Sequence, residues 1–347
     1  MTKQDIKSFN YDELLNVCVE KGLPKFRAGQ VYEWLHKKLV TSFDEMTNLS
    51  VDLRKKLDED FYIAKANVEC VETSKIDGTQ KYLFSFDKES YVESVLMKYH
   101  HGNSVCISSQ VGCRMGCRFC ASTLDGLSRN LTSSEMLEQI YRIQALTGER
   151  VSNVVVMGTG EPMDNYDNVV RFIRLLTDEK GLNISQRNIT VSTCGIVENM
   201  KRLADENLQI TLALSLHSVT DEKRRSLMPI ANKYSIKELM EACEYYFEKT
   251  KRRITFEYSL VRDVNDTDED AKGLIALASS VGAHVNLIPV NPIKERDYKE
   301  TVHERVLAFK NKLEKSGINV TIRREMGRDI NGACGQLRKK VMDNYKQ

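Results

Sequence analysis

The stretch Val151-Ser152-Asn153-Val154-Val155-Val156-Met157-Gly158-Thr159, with residues 165–176 behind it, decides the reading of the fold. Its first part is a short β-branched run, and the part behind it is amphipathic with apolar residues at helical spacing. The same pair recurs on both sides. VCISSQ (residues 105–110) precedes a helical run at 133–146, NITVST (188–193) one at 198–206, and QITLALSL (209–216) one at 235–247. ITFEYSL (254–260) precedes 268–281, VNLIPV (285–290) precedes 304–315, and INVTIRR (318–324) closes the series. Such alternation predicts parallel βα units, whose right-handed crossovers favour a barrel or partial barrel. A doubly wound open sheet fits the same alternation, and the class is α/β in either case.

The chain has 347 residues, 41% of them hydrophobic and 29% charged, which excludes disorder as the main description. Lys plus Arg number 51 against 49 Asp plus Glu, so a net charge of +2 rules out gripping nucleic acid by bulk charge alone. No apolar run approaches the roughly 18 residues that span a bilayer. The polar start MTKQDIKSFNYDELL lacks the apolar core of a secretory signal. The expectation is a soluble, cytoplasmic protein.

Ahead of the alternation, residues 1–62 read as a small helical accessory domain, with ten Lys/Arg and eleven Asp/Glu. Three β-like runs follow, at 66–73, 80–86 and 91–97, and short turns such as Asp77-Gly78 predict a small antiparallel sheet, a short β extension of the core. We therefore expect a helical domain over 1–62, a β-rich connecting segment over 63–98 and a core barrel over 99–347.

The nine cysteines are Cys18, Cys70, Cys106, Cys113, Cys117, Cys120, Cys194, Cys243 and Cys334. Their odd count and irregular spacing argue against a disulfide framework. Cys113, Cys117 and Cys120 fall within eight residues, so three thiolates can wrap one metal centre from a single loop. A structural zinc site wants four ligands. Three thiolates on a cubane iron–sulfur cluster leave one iron open to a small molecule. Spacing alone leaves both readings standing.

In βα barrels the working residues collect at the C-terminal ends of strands. Here those ends carry Gly158-Thr159-Gly160-Glu161-Pro162, Ser192-Thr193, Ser215-Leu216-His217 and Pro289-Val290-Asn291-Pro292. The missing third glycine defeats a dinucleotide reading of Gly158 and Gly160. Gly160 admits close backbone approach, and Glu161 can accept from an ammonium group or a ribose hydroxyl. The plain alternatives are a helix N-terminal carboxylate for Glu161 and a satisfied structural histidine for His217.

The CxxxCxxC motif resembles that of the radical S-adenosylmethionine (SAM) superfamily. That resemblance implies a partial (βα)6 barrel with a [4Fe-4S] cluster on Cys113, Cys117 and Cys120. It also implies SAM on the fourth iron, cleaved by one electron to a 5′-deoxyadenosyl radical. Gly160-Glu161 resembles the superfamily element that meets the SAM amino group, and Ser192, Ser215, Leu216, His217 and Asn291 match further SAM contacts. The chain more closely resembles the RNA adenine C2-methyltransferases of the RlmN type, which have the C8-specific Cfr type as sister family. Matching elements are Val92-Glu93-Ser94-Val95, Cys106-Ile107-Ser108-Ser109-Gln110-Val111-Gly112-Cys113, Gly126-Leu127-Ser128-Arg129-Asn130-Leu131, Gly158-Thr159-Gly160-Glu161-Pro162 and Asp329-Ile330-Asn331-Gly332-Ala333-Cys334-Gly335-Gln336-Leu337. Pro162 matches the C2 branch, where the sister type carries Ala.

Carbon 2 of adenine is electron-poor and will not attack a SAM methyl group, so polar methyl transfer is closed. A carbon radical can add there if the methyl first rides on a thiol. The resemblance assigns that thiol to Cys334, the base that removes the C2 proton to Glu93, and the thiol that releases the product as a disulfide to Cys106. It implies two SAM molecules per turnover, with adenine 2503 of 23S rRNA and adenine 37 of transfer RNAs as targets. It further implies a flavodoxin or ferredoxin as electron donor, and we expect a monomer. Arg114, Arg118 and Arg129 flank the cluster motif and Arg323, Arg324 and Arg328 lead toward Cys334, all candidates for phosphate contacts beside the N-terminal domain. The target base must leave its stack, which favours a loop as substrate. An iron–sulfur redox protein and a zinc RNA-binding module are the alternatives of another class.

Overall fold

The computed structural model describes residues 3–290, 297–330 and 337, so Asn291 and Cys334 lie outside the described residues. Fourteen strands are found among these: β1 (Gln4–Asp5), β2 (Phe61–Tyr62), β3 (Asn67–Thr73), β4 (Gln80–Ser85), β5 (Tyr91–Tyr99), β6 (Gly102–Ile107), β7 (Gln110–Gly112), β8 (Leu127–Asn130), β9 (Val151–Val156), β10 (Ile189–Thr193), β11 (Thr211–Ser215), β12 (Thr255–Leu260), β13 (His284–Pro289) and β14 (Val320–Ile322). Ten form one sheet in the order β14-β13-β12-β11-β10-β9-β6-β5-β4-β3. β6 and β9 to β14 are parallel, and β5, β4 and β3 add on antiparallel.

The order from β9 to β14 never reverses, which eliminates the doubly wound alternative, whose sheet must turn back at a switch point. Helices α4 (Ser133–Thr147), α5 (Tyr166–Thr177), α6 (Val197–Asp205), α7 (Asp221–Leu227) with α8 (Ile236–Thr250), α9 (Asp268–Val281) and α10 (His303–Lys315) make the six crossovers of a partial (βα)6 barrel. Local chemistry fixes their starts. Thr132 with Glu135, Ser235 with Glu238 and Thr267 with Asp270 form reciprocal capping boxes at α4, α8 and α9. Gly148, at φ 66°, ends α4.

The three β-like runs do not form a sheet of their own. β5 pairs with β6, so they continue the barrel wall. Most of β4 and the first part of β5 are buried, and an edge left unpaired there would strand backbone groups away from water. Inside the wall lies a cavity of about 670 Å³, lined along the parallel strands by Thr190, Thr211, Thr255, Glu257, Asn286 and Thr321. A closed barrel packs its interior with branched aliphatics. These short polar side chains keep this interior open.

Helices α1 (Tyr11–Glu20), α2 (Phe26–His36) and α3 (Val51–Asp60) pack around Ile6, Leu14, Val31, Leu35 and Phe61. Fully buried Lys7 reaches from this unit to Glu138 on α4, and also donates to the carbonyls of Val40 at 3.3 Å and Ala64 at 3.2 Å. The second oxygen of Glu138 accepts from the Ala66 backbone at 3.1 Å. Beside them His36 Nδ1 meets Tyr141 Oη at 2.9 Å.

Burial, and then the charge of Lys7, pull the His36 imidazole from 6.5 down to about 3. The folded protein therefore holds His36 neutral while the unfolded chain protonates it below pH 6.5. Stability is fully present above that pH and falls as pH drops toward 3, at about 1.36 kcal/mol per unit for this group. Between pH 6.5 and 4.5 we expect a loss of about 2 kcal/mol from His36. Urea midpoints of the wild type and His36→Gln across that range check it: the variant should show the shallower slope.

Candidate active site

After β6 the chain makes the ribbon β7–β8, whose two strands hold the ends of the cysteine loop. Gly112, at φ 78°, crosses so close to its partner that an added Cβ would lie 2.0 Å from the Gly126 carbonyl. That approach lets the Cys113 amide donate to the same carbonyl at 2.8 Å, closing the loop. Met115, Cys117 and Phe119 pack on a floor of Cys194, Leu227 and Met228. Burial pushes the Cys113 thiol up to about 12, with further upward pressure from Cys120. Cys117 is pushed up by burial, then by Cys120 and Cys113.

The three thiols thus lie close enough to repel each other's thiolates, a conflict that a metal centre among them removes. Among the described residues no three His, Cys, Asp or Glu side chains are grouped to hold a single ion. Thiolates on separate irons of a cubane stand further apart than ligands of one ion. Three soft donors on one loop fit an iron–sulfur cluster.

Next to the loop, the strand end of β9 is built on two close approaches. A Cβ on Gly158 would lie 2.7 Å from the Ile107 carbonyl, and one on Gly160 would lie 2.6 Å from the Gln110 Cβ. Glu161 is buried. Its Oε1 accepts from the Met163 amide at 3.0 Å and its Oε2 from the Cys194 amide at 2.8 Å. So Glu161 does cap the short turn Pro162–Asn165, the plain alternative for it, and also ties the β9 and β10 ends together. Burial raises its carboxyl, against those hydrogen bonds.

The Ser192 and Ser215 hydroxyls meet at 3.2 Å across the ends of β10 and β11. The Leu216 amide donates to the Glu257 carbonyl at 3.0 Å. His217 sits in the left-handed region at φ 53°, with Nδ1 accepting from the Ser259 amide at 2.9 Å. That bond fixes the Nε2–H tautomer, and burial holds the ring neutral, at about 3. Its edge meets Phe119 of the cysteine loop at 4.8 Å between centroids.

Cys106 and Glu93 come together through register. Val95 pairs with Cys106, both line the cavity, and alternation puts Glu93 on that same face, two residues nearer the open end. The Ser108 hydroxyl donates to the Glu93 carbonyl at 2.8 Å, while Gln139 of α4 joins Ser94 and the backbone of Ser108. The surprise is Lys81. It pairs with Val95 on the other flank, and its Nζ lies 3.0 Å from Glu93 Oε2, with the two side chains 0% and 3% exposed. Nothing local in the β4 run marks that lysine as inward-facing.

Two of the arginines singled out as phosphate contacts are held by acids instead. Arg114 forms a fork with Asp164, and Arg129 one with Glu135 at 2.8 Å for each bond. Arg323 and Arg324 border the cavity. Beyond them the chain crosses to the turn at 74–79. Gly327 donates to Asp77 at 2.9 Å, and Asp329 accepts from Ser74 at 2.6 Å and from the Lys75 amide at 2.9 Å.

A family profile described as "Ribosomal RNA large subunit methyltransferase N-terminal domain" matches residues 4–63, and one described as "Radical SAM superfamily" matches 107–275. A relative from Lachnospira eligens, named "Probable dual-specificity RNA methyltransferase RlmN", is 68% identical over 99% of this chain and 98% of its own. One of the same name from Clostridium novyi is 53% identical over 98% of this chain and 99% of its own. The crystal structure of a radical SAM methyltransferase from Sphaerobacter thermophilus superimposes with a TM-score of 0.91 at 39% identity, covering 96% of this chain and 98% of that one. With six crossovers in one unreversed sheet, three clustered thiols at its open end and relatives matching over their whole lengths, the chain belongs to the RlmN family of dual-specificity radical SAM RNA methyltransferases.

Proposed function

We propose that this enzyme methylates carbon 2 of adenine in RNA, at adenine 2503 of 23S rRNA and adenine 37 of transfer RNAs. The observation that carries this reading is the shared inward face of Glu93 and Cys106, a buried carboxylate and a buried thiol on the paired strands β5 and β6. With a [4Fe-4S] cluster on Cys113, Cys117 and Cys120, and SAM along Gly160, Glu161, Ser192, Ser215, Leu216, His217 and Asn291, the site gains a methyl donor and a source of a carbon radical. His217, fixed as the Nε2–H tautomer, offers a donor to the ligand. The thiol of Cys334 carries the methyl carbon to the base. Glu93 takes the C2 proton. Cys106 then attacks the Cys334 sulfur, so the bond between that sulfur and the product carbon breaks, the carbon keeps the electron pair and takes up a proton to become the methyl group, and a disulfide forms.

A reduced flavodoxin or ferredoxin supplies the electron, and the enzyme works as a cytoplasmic monomer. Anaerobic incubation with SAM, dithionite and transfer RNA, scoring 5′-deoxyadenosine and 2-methyladenine together, tests the reading. Cys106→Ala should lose essentially all turnover and leave RNA covalently attached to the protein, read as a slow-migrating band. Wild-type turnover in that variant, or methylation at carbon 8, overturns the assignment.

A further inference from the structure

Arg224 is the fourth residue of α7, whose sequence Asp221-Glu222-Lys223-Arg224-Arg225-Ser226-Leu227 reads as a solvated charge run. Its side chain is instead 0% exposed and heads the large fully buried ones. Nε donates to the Leu216 carbonyl at 3.2 Å, and Nη2 to the carbonyls of Cys194 at 2.6 Å and Ser215 at 3.4 Å. Nη1 is buried with no hydrogen-bond partner. Among the described residues no carboxylate lies within ion-pair distance of it. Three neutral carbonyls orient a guanidinium but do not cancel its charge, and a buried cation without an anion is strongly unfavourable.

An anion belongs close by. The end of α7 and the turn Pro229–Asn232 support the cysteine loop directly: the Arg118 amide donates to the Leu227 carbonyl at 2.9 Å, and the Gly116 backbone passes against Pro229. Cys117 packs on Leu227, Met228 and Cys194. Burial pulls the guanidinium down while Cys194 and Cys117, and after them Asp221, pull it back up. Arginine stays protonated throughout. An iron–sulfur cluster on three thiolates carries net negative charge, and reduction adds one electron to it.

We propose that Arg224 is the fixed counter-charge of the cysteine-bound centre, a positioning residue that favours its reduced state and so sets how readily it accepts an electron. The proposal rests on Cys113, Cys117 and Cys120 holding the cluster. The test is an anaerobic dithionite titration of reconstituted full-length protein without SAM, following the reduced cluster by electron paramagnetic resonance. Arg224→Gln keeps part of the hydrogen bonding but not the charge. It should show about tenfold less reduced cluster at a given poise, a midpoint more negative by about 59 mV for one electron. Arg224→Lys should stay within about threefold of wild type.

A Gln midpoint equal to wild type, or a Lys shift as large as the Gln one, overturns the proposal. If Gln takes up no iron and sulfide while Lys does, the charge is needed even for assembly, and the proposal stands. If both variants fail to load, Arg224 serves packing alone and the proposal falls. Failure of wild type to load iron and sulfide is distinct from all of these and would overturn the cluster reading itself.

Discussion

Gly160→Ala is expected to lose nearly all SAM cleavage and to unfold well below the wild type. At φ 110° glycine stands in a region that a Cβ makes strained, at about 1–3 kcal/mol. The added Cβ would also lie 2.6 Å from Gln110 Cβ, 2.8 Å from the Gln110 nitrogen and 2.8 Å from Ser109 Oγ. One of these atoms is backbone, so relief requires the β6–β7 connection to move, at a further cost of about 1–3 kcal/mol. That movement reaches the chemistry. Gln110 Oε1 accepts from the Glu161 amide at 2.8 Å, and the amides of Ser109 and Gln110 both donate to Thr159. Displacing Gln110 therefore shifts Glu161 and the entry to the cysteine loop together. Gly148→Ala is the control, since a Cβ there meets nothing within 4 Å and only the left-handed backbone is penalised. Calorimetry should show a small drop for Gly148→Ala and a large one for Gly160→Ala, and comparable drops would refute the steric account.

The buried pair Lys81–Glu93 yields the second large effect, one in which stability and activity separate. Lys81→Met removes one partner and leaves a carboxylate in a nearly water-free wall, a loss of about 3–5 kcal/mol. Replacing both ions restores most of that stability, because a well-packed apolar pair of similar volume is often neutral or better. Lys81→Met/Glu93→Leu should therefore unfold near the wild type yet make no methylated base. Glu93→Gln alone, which keeps the shape, should reduce turnover by roughly 10²–10⁴, the usual contribution of a positioned base. Urea titration beside a methylation assay reads both axes. A double variant that is stable and fully active would remove Glu93 from the mechanism while leaving the ion pair as architecture.

The parts of the fold legible from the residues were those with a local cause. Periodicity placed α9 at residues 268–281, where it is found, and Thr267 with Asp270 explains its start. The loop of Cys113, Cys117 and Cys120 and the strand-end serines needed only spacing. α7 was missed because its residues carry no apolar stripe, and β7–β8 because three or four residues are too few for a period to register. Arg114 and Arg129 looked like free cations because their acids, Asp164 and Glu135, are chosen by loop geometry rather than by helical spacing.

The residues alone therefore determined an α/β chain of repeated strand–helix units, where its thiols cluster, and which small and polar side chains end its strands. Those properties are periods and spacings along the chain, and neighbours along the chain suffice to establish them. Tertiary structure alone decided that the sheet runs in one unreversed order, that Lys81 faces inward against Glu93, and that Arg224 is sealed behind the cysteine loop. Whether a charged side chain is solvated or buried depends on the field and packing of distant segments, and in this wall strand register and crossover geometry bring those segments together.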